Sequence, residues 1–302
     1  MDKVLSGKPI AALIKTALKD LIAEQDIKPR MALIQVGSDP AADYYVQNIV
    51  SNGSKLGCTV DLDTLSAETS QAELLDRITK ANVDPCIHGI MLQKPLPDWI
   101  DDTAVGCAIT PEKDIDCLNP VNLGKIVLEA DSLVPCTPLA VLCTLRYYQI
   151  PVQGRHVVII GRSAIVGKPL ANLFLWKKTW ANASVTICHS RSQDLTAITQ
   201  TADILVAALG KPEFVTMDMV RNGSVLIDVG INAKNDASGK LAYVGDIDYN
   251  PCLDKAAAIT PVPGGIGSVT SSLLFLNLVK ACLLQGGVNK NIDDFIGLIF
   301  GA

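Results

Sequence analysis

The sequence lacks long apolar runs, paired cysteine motifs and clusters of basic residues. No run of about 18 apolar residues occurs, because Asn277 and Lys280 interrupt the most apolar segment, so no membrane-spanning helix is predicted. The N-terminus has no apolar stretch typical of a secretory signal. The nine cysteines are dispersed without a Cys-x-x-Cys pair, which is typical of reduced thiols and predicts a cytoplasmic location. Lysine and arginine do not cluster and the net charge is −5, so neither a nucleic-acid nor a membrane partner is expected.

Two kinds of catalytic centre are also missing from the sequence. The three histidines, His88, His156 and His189, are too far apart along the chain to predict a metal site, so no metal is expected. No Gly-x-Ser-x-Gly elbow is present, which argues against a serine hydrolase. The chain does have length and apolar content: its 302 residues are 49% hydrophobic, enough for two folded domains.

Apolar runs alternate with segments of helical periodicity along most of the chain. The runs predict strands at 31–36, 58–65, 86–93, 156–160, 184–188, 204–208 and 224–228. The periodic segments predict helices at 10–25, 41–56, 71–82, 138–148 and 169–178, and a long one after residue 267. This alternation is typical of βαβ units with mostly parallel sheets. Residues 98–138, rich in Asp, Pro, Asn and Thr, separate two such series. We therefore predict an α/β fold with two lobes and a ligand cleft between them.

A glycine-bounded turn follows the first strand of the second series. Gly161 allows a sharp turn, and Gly167 allows the next helix to pack closely on the strand. The N-terminus of that helix is expected to offer free N–H groups to a pyrophosphate. Ser163 stands where the usual fingerprint has its second glycine, so an ordinary βα turn remains the alternative.

The end of the following strand indicates which dinucleotide binds. A site for NAD would carry an acidic residue there, whereas this chain has Ser190 and Arg191. Together with Arg162 these side chains suit a 2′-phosphate, because guanidinium groups bind phosphate through charge-assisted hydrogen bonds. The cofactor predicted is NADP, although two exposed arginines also occur on ordinary surfaces.

Several motifs in order resemble the bifunctional methylenetetrahydrofolate dehydrogenase/methenyltetrahydrofolate cyclohydrolase family. They are Ser38-Asp-Pro-Ala-Ala-Asp-Tyr-Tyr45, Gly89-Ile-Met-Leu-Gln-Lys-Pro-Leu-Pro97, Pro111-Glu-Lys-Asp-Ile-Asp116, Gly161-Arg-Ser-Ala-Ile-Val-Gly167, Asp228-Val-Gly-Ile-Asn232 and Thr260-Pro-Val-Pro-Gly-Gly-Ile-Gly267. The resemblance implies a folate-binding domain of residues 1–140 plus 272–302, with a C-terminal helix returning to it. It also implies a Rossmann-type, doubly wound NADP-binding domain of residues 141–271, and a homodimer.

The resemblance also implies roles for individual residues. Tyr45 would stack on the pterin, Gln93 would act beside a catalytic lysine, and Asp116 would hold the pterin nitrogens. The other folate-binding residues implied are Pro263, Gly264, Gly265, Gly267 and Thr270. The cofactor-binding residues implied are Gly161, Arg162, Ser163, Ile165, Gly167, Ser190, Arg191, Gly210 and Ile231.

The chain departs from the family at the catalytic lysine. The family carries Tyr-x-x-x-Lys, and here Ile49 stands four residues after Tyr45, on the same helix face. Hydride loss from the methylene carbon requires orientation but no proton transfer, whereas hydrolysis of the methenyl product needs an acid or base. We therefore expect NADP-dependent dehydrogenase activity, with cyclohydrolase activity weak or absent.

Other interpretations remain open at this point. Lys94, where the family usually has an apolar residue, is a candidate substitute for the missing lysine, although alternation along a strand points it away from Gln93. A catalytically silent folate- and NADP-binding protein is a second alternative. A shikimate-type dehydrogenase shares the two-lobe plan but does not account for the Pro-Val-Pro-Gly-Gly loop. Cys117 replaces a family glycine next to Asp116, which predicts a local difference in the backbone.

Overall fold

The computed structural model describes residues 3–38, 40–235 and 241–301. In chain order its helices are α1 (Lys8–Glu24), α2 (Pro40–Leu56), α3 (Gln71–Val83), α4 (Asp102–Ala108), α5 (Pro120–Val127), α6 (Cys136–Tyr147), α7 (Gly167–Leu175), α8 (Leu195–Thr199), α9 (Tyr249–Lys255), α10 (Ile266–Gln285) and α11 (Ile292–Phe300). Its strands are β1 (Arg30–Val36), β2 (Thr59–Leu65), β3 (Gly89–Leu92), β4 (His156–Ile160), β5 (Ser184–Cys188), β6 (Ile204–Ala207), β7 (Val225–Asp228), β8 (Asn232–Asn235), β9 (Leu241–Val244) and β10 (Ala258–Ile259). The predicted α/β fold is confirmed.

The chain divides into two compact units. The first unit comprises Leu13–Pro135 and Ser271–Ala302, and the second comprises Met1–Ala12 and Cys136–Thr270. The boundaries expected from the sequence, after residues 140 and 271, lie close to these, but residues 1–12 group with the second unit. The reason is a backbone ladder with β10: the Leu5 N–H donates to the Ile259 carbonyl (2.8 Å), and the Ile259 N–H donates to the Lys3 carbonyl (2.8 Å).

The first unit contains a parallel sheet in the order β2-β1-β3. The central strand β1 buries Met31 and Leu33 completely, and helix α3 adds Leu74 and Ile78 to the core. Helix α3 begins at a capping box, in which Ser70 Oγ accepts the Glu73 N–H and Glu73 accepts the Ser70 N–H. The segment 98–138, which lacks periodicity in the sequence, contains the two short helices α4 and α5.

Helix α10 supplies apolar and polar groups to the first unit. Among the described helices it alone is long and apolar enough to cross a membrane. However, 78% of its most apolar 18-residue stretch is buried inside the protein. Its two interrupting polar residues are anchored in that interior. Asn277 Nδ2 donates to the carbonyls of Ile115 and Val134 (both 2.8 Å), and Lys280 Nζ donates to the Ser132 carbonyl (2.9 Å). These bonds tie α10 to the interior as a core helix, although Ser272 Oγ on the same helix is buried without a hydrogen-bond partner among the described residues.

The second unit contains a parallel five-stranded sheet in the order β10-β7-β6-β4-β5. The chain runs from β4 to β5 on one side and then returns to β6 on the other side of β4. The carboxyl ends of β4 and its neighbours therefore lie at a topological switch point, where doubly wound sheets bind ligands. Strand β4 is buried on both faces from Val157 to Ile160, which explains its uninterrupted apolar sequence.

Candidate active site

A cavity lies at the carboxyl ends of β4, β5 and β6, entirely within the second unit. Its volume is about 410 Å³, and three loops form its wall. The residues that line it are Gly161, Arg162, Ser163, His189, Ser190, Ser192, Leu195, Ala208, Leu209, Lys211 and Phe214. Apolar side chains come from α8 and from the loop after β6, while the hydroxyl groups come from the loops after β4 and β5.

The charged groups of this cavity have one sign. Arg162 and Lys211 contribute cations, and among the described residues that line the cavity none is Asp or Glu. Three serine hydroxyl groups add hydrogen-bond donors and acceptors. This set of donors fits an anionic group such as a phosphate, and the apolar wall fits a nucleoside.

The glycines of the turn are there because of backbone contacts. A Cβ on Gly161 would lie 2.2 Å from the Ala208 carbonyl oxygen, and a Cβ on Gly167 would lie 2.2 Å from the Gly161 carbonyl oxygen. Gly161 also has φ = +138°, a conformation that favours glycine. The turn therefore brings α7 against β4, as expected from the sequence.

The start of α7 differs from the expectation of free N–H groups. Ser163 Oγ accepts the N–H groups of Val166 (3.1 Å) and Gly167 (3.4 Å), and the Ser163 carbonyl accepts the Lys168 N–H (3.1 Å). The next residue, Pro169, has no N–H. Ser163, in the place of a glycine, thus occupies the first N–H groups of the helix.

The structure brings together only part of the predicted cofactor set. Gly161, Arg162, Ser163 and Ser190 line the cavity. Ile165, Gly167, Arg191 and Gly210 lie on the same three loops or at the start of α7, and Arg191 is exposed. Ile231 follows β7 and is 60% exposed. Sequence reasoning missed the other seven lining residues, because the segments after β5 and β6 carry no fingerprint of their own. They are His189, Ser192, Leu195, Ala208, Leu209, Lys211 and Phe214.

Two buried carboxylates organise the loops after β6 and β7. Asp246 is fully buried and accepts the backbone N–H groups of Leu209 (2.5 Å), Gly210 (2.9 Å) and Lys211 (2.9 Å). Asp228, at the end of β7, accepts the N–H groups of Gly230, Asp246 and Ile247. Burial, with a smaller contribution from the Asp246 charge, raises the pKa of Asp228 to about 6, although its backbone donors oppose the shift.

The loop Thr260–Gly267 packs against the N-terminal segment of the same unit. The Gly7 N–H donates to the Gly264 carbonyl (2.8 Å), and a Cβ on Gly7 would lie 2.1 Å from the Gly265 carbonyl oxygen. The peptide bond before Pro263 is cis, and Gly264 has φ = +102°. Gly267 and Thr270 lie in the first turns of α10, and Thr270 Oγ1 donates to the Ile266 carbonyl (3.1 Å).

In the first unit, the segment that carries Asp114 and Asp116 meets β3 at one parallel bridge, between Ile90 and Asp114. Asp116 lies in the turn that follows this bridge. Asp114 holds the turn that follows: it accepts the N–H groups of Leu118 and Asn119 (both 2.8 Å). Cys117, in this turn, has φ = +57°, which is the backbone feature that a glycine would favour.

Asp116 is the carboxylate of this pair that remains available. Within the described part of the chain no group donates a hydrogen bond to it, whereas Asp114 is engaged in the turn. Burial is the main cause that raises the pKa of Asp116 to about 7, and the charge of Asp114 is the second. The charge of Lys94 acts in the opposite direction and lowers this pKa. A partly buried carboxylate without partners suits a ligand with adjacent N–H donors.

Gln93 also has an unused polar atom. Its side chain is 9% exposed, and Nε2 donates to the Lys94 carbonyl (2.7 Å), but Oε1 is buried without a hydrogen-bond partner among the described residues. Lys94 does not supply that partner, because its ammonium group pairs with Asp102 Oδ2 at 2.6 Å. A buried amide oxygen without a donor is costly, which makes it a mark of a binding site.

Helix α2 carries Tyr45 and Ile49. Tyr45 is 37% exposed, and Ile49, one turn later, is 2% exposed and belongs to the core of the first unit. Asp43, in the first turn, accepts hydrogen bonds from Gln35 Nε2 (2.8 Å) and Ser38 Oγ (2.7 Å). Asp39, within the motif that begins at Ser38, and the side chains of residues 40–42 lie outside the described residues.

Two family models match the chain, one for each sheet. The model described as the catalytic domain of tetrahydrofolate dehydrogenase/cyclohydrolase matches residues 5–116. The model described as the NAD(P)-binding domain of the same enzymes matches residues 135–285.

Relatives of known name or structure match over nearly the whole chain. The bifunctional protein FolD of Chloroherpeton thalassium is 45% identical over 286 residues, which are 92% of this chain and 97% of the relative. The crystal structure of the bifunctional 5,10-methylenetetrahydrofolate dehydrogenase/cyclohydrolase of Thermoplasma acidophilum superposes with a TM-score of 0.88 at 38% identity, covering 94% of this chain and 100% of that one. The Trypanosoma brucei dehydrogenase-cyclohydrolase, complexed with NADP and an inhibitor, has a TM-score of 0.86 at 32% identity, covering 94% and 98%.

Proposed function

Because this chain belongs to the tetrahydrofolate dehydrogenase/cyclohydrolase family, we propose that it oxidises 5,10-methylenetetrahydrofolate with NADP and hydrolyses the methenyl product slowly or not at all. The observation that carries the second half of the proposal is Gln93 Oε1, which is buried without a donor. In the family, as the sequence resemblance implies, a lysine acts beside this glutamine. Here Ile49, an apolar core residue, takes the place of that lysine.

The substrate is held by residues of the first unit. Asp116 accepts two hydrogen bonds from adjacent N–H groups of the pterin, which requires the carboxylate form. Tyr45, partly exposed on α2, offers an aromatic face for stacking. Gln93 Oε1 accepts a hydrogen bond from a ligand donor, which removes the cost of its burial.

The cofactor is held by the cavity of the second unit. Arg162, Lys211 and the serine hydroxyl groups bind phosphate, and Leu195 and Phe214 contact the nucleoside. NADP bound in this cavity would supply the acceptor for a hydride from the carbon between the two folate nitrogens. The protein's contribution to that step is orientation, since a nitrogen lone pair supports the resulting cation and no proton moves.

Ring opening of the methenyl product requires different groups. Water must lose a proton and a folate nitrogen must gain one, which calls for a side chain that exchanges protons near neutrality. Ile49 has no such proton. Lys94, the alternative, is held by Asp102 at 2.6 Å and does not reach Gln93 Oε1, so the geometry favours its role as an ion-pair partner.

A paired assay on one preparation tests this proposal. We expect wild-type protein to form the methenyl product with NADP, and we expect hydrolysis of that product to be at least tenfold slower than hydride transfer, which corresponds to about 1.4 kcal/mol in barrier height. Ile49→Lys is expected to accelerate hydrolysis, because it restores the proton-exchanging lysine that the family resemblance implies beside Gln93. Ile49→Met, which keeps an apolar side chain of similar volume, is the matched control and leaves hydrolysis unchanged.

Two results would contradict the proposal in different ways. Wild-type hydrolysis as fast as hydride transfer would refute the loss of the second activity, and its disappearance in Lys94→Met would assign the role to Lys94. Failure of wild-type protein to reduce NADP with the methylene substrate would instead leave a protein that binds folate and NADP without catalysis.

A further inference from the structure

We propose that Lys211 binds a phosphate of the cofactor and that Asp246 is the positioning residue that holds it there. This inference rests on the NADP-dependent activity proposed above. Lys211 lines the cavity at the ends of β4, β5 and β6, in a loop for which the sequence carries no fingerprint.

Several backbone N–H groups around this cavity are already engaged in hydrogen bonds. Ser163 takes the N–H groups of Val166, Gly167 and Lys168 at the start of α7. The loop after β5 bonds to itself, since the His189 N–H donates to Ser192 Oγ (3.0 Å) and the Arg191 N–H donates to His189 Nδ1 (3.1 Å). Backbone anion binding of the usual kind is therefore reduced, and cationic side chains must supply more of it.

The loop after β6 is built around a carboxylate. Asp246 gathers the N–H groups of Leu209, Gly210 and Lys211, and its Oδ1 also accepts Asn232 Nδ2 at 2.9 Å. Four donors on one fully buried carboxylate fix the path of this loop. With its N–H directed at Asp246, Lys211 sends its side chain along the wall of the cavity.

The ammonium group of Lys211 is itself held in place. Lys211 Nζ lies 5.5 Å from the centre of the Phe214 ring, within the range of a cation–π contact. Phe214 lines the same cavity, and no carboxylate among the described lining residues competes for the charge. Lys211 and Arg162 therefore present two cations to one cavity, which matches a cofactor with several phosphate groups.

Titration calorimetry tests this inference without depending on turnover. The probes are adenosine 2′,5′-bisphosphate, NADP and NAD. The bisphosphate carries the adenosine half of NADP without the nicotinamide half, so its binding reports on the adenosine and phosphate contacts alone. We expect Lys211→Met to weaken binding of the bisphosphate and of NADP at least tenfold, with Lys211→Arg within threefold of wild type. Lys19→Met, which removes an exposed lysine on α1, is the control and is expected to change nothing.

The NAD arm identifies which phosphate is bound. If Lys211→Met leaves the affinity for NAD unchanged, the contact is with the 2′-phosphate. If the affinity for NAD falls as much as the affinity for NADP, the contact is with the pyrophosphate. Binding of NADP and of the bisphosphate within twofold of wild type in Lys211→Met would overturn the inference. Normal nucleotide binding by a protein without dehydrogenase activity would refute the proposed function and leave this inference standing.

The role of Asp246 is tested through Lys211. We expect Asp246→Asn to raise KM for NADP with kcat within threefold of wild type, and we expect the double variant with Lys211→Met to bind NADP no more weakly than Lys211→Met alone. Such non-additivity is the sign that one residue acts through the other. If the losses of NADP affinity in the two single variants add in the double variant, Asp246 does not act through Lys211. Should Asp246→Asn fail to fold, the Lys211→Met result still decides whether Lys211 contacts a phosphate.

Discussion

Gln93 and Asp116 are among the side chains of the first unit whose polar atoms the described parts of the protein do not satisfy, and Ser132 and Ser272 are others. Gln93 and Asp116 lie at the end of β3 or on the segment beside it. Lone buried acceptors cost free energy in the folded state, and they are retained where a ligand supplies the donors. Their neighbour Asp114 shows the contrast, because its carboxylate is fully used by the turn at 117–119.

Asp116 predicts a pH dependence of folate binding. Its pKa is raised to about 7, so the group keeps its proton until the pH approaches neutrality. Lowering the pH from 8 to 6 removes the carboxylate that accepts the pterin N–H groups. We expect KM for the methylene substrate at saturating NADP to rise about tenfold over that range.

Asp116→Asn provides the control for this pH dependence. The amide accepts fewer hydrogen bonds at every pH, so its KM is expected to be high and level between pH 6 and 8. A wild-type KM that stays level over the same range would contradict the assignment of Asp116 to the pterin.

At the scale of elements, the loop Thr260–Gly267 depends on the N-terminal segment. Gly7 accommodates the Gly265 carbonyl, and a methyl group there would lie 2.1 Å from that oxygen. We expect Gly7→Ala to lower the free energy of unfolding by about 1–3 kcal/mol and to raise KM for the folate, because the loop must move. Chemical denaturation and steady-state kinetics measure the two effects.

Gly124→Ala is the matched control for Gly7→Ala. Gly124 lies inside α5, and a Cβ there would have nothing within 4 Å. Alanine in a helix interior is more favourable than glycine by about 0.5–1 kcal/mol, so this variant is expected to be slightly more stable with unchanged KM. Equal behaviour of the two variants would contradict the role assigned to the contact at Gly7.

Elements with a clear period were predictable from the sequence, and those made by tertiary contacts were not. Strands β4 and β5 match the predicted segments 156–160 and 184–188 residue for residue, since both are short runs rich in β-branched and other apolar residues. Helix α5 was missed because it has eight residues and depends on the Asn119 cap, whose Oδ1 accepts the Val121 N–H. The hairpin of β8 and β9 carries no alternating pattern in β8 and was missed too.

The candidate site shows the same division. The glycine turn and the motif around Gln93 could be found because each has a characteristic spacing. Lys211 and Asp246 could not, because they are 35 residues apart and meet only through a backbone hydrogen bond. The caps formed by Ser163 also escape a sequence pattern, since a serine in a βα turn is compatible with both bound and free N–H groups.

At the scale of the whole molecule, the chain enters each unit twice. It leaves the second unit within α1, builds most of the first unit, returns to the second unit at α6, and passes to the first unit again at Ser271, near the start of α10. Neither unit is therefore a continuous piece of sequence. Residues 271–285 complete the first core: a Cβ on Gly53 would lie 3.2 Å from Phe275 Cε1, and one on Gly89 would lie 3.0 Å from Leu278 Cδ1.

This topology predicts how fragments behave. We expect residues 13–135 alone to lack a cooperative unfolding transition, because Phe275, Leu278 and Phe295, each at most 1% exposed in the whole chain, are absent from the fragment. The same fragment joined to residues 271–302 by a flexible linker is expected to fold. The linker must span the gap between residue 135 and Ser271. Asn277 bonds to the Val134 carbonyl, and Ser271 lies six residues before Asn277 on α10, a rise of about 9 Å. A Gly/Ser linker of about eight residues spans this distance.

Circular dichroism during urea denaturation measures this difference between the two fragments. A third fragment, joined to 271–302 with Phe275→Asp, keeps the length and linker but places a charge in the core. We expect it to resemble residues 13–135 alone, because burying an unpaired carboxylate costs several kcal/mol, more than a marginal domain can lose. Cooperative unfolding of residues 13–135 without the C-terminal segment would contradict this prediction. In that case α10 covers the first unit without completing its core. The buried bonds of Asn277 and Lys280 would then attach a helix that the unit does not need in order to fold.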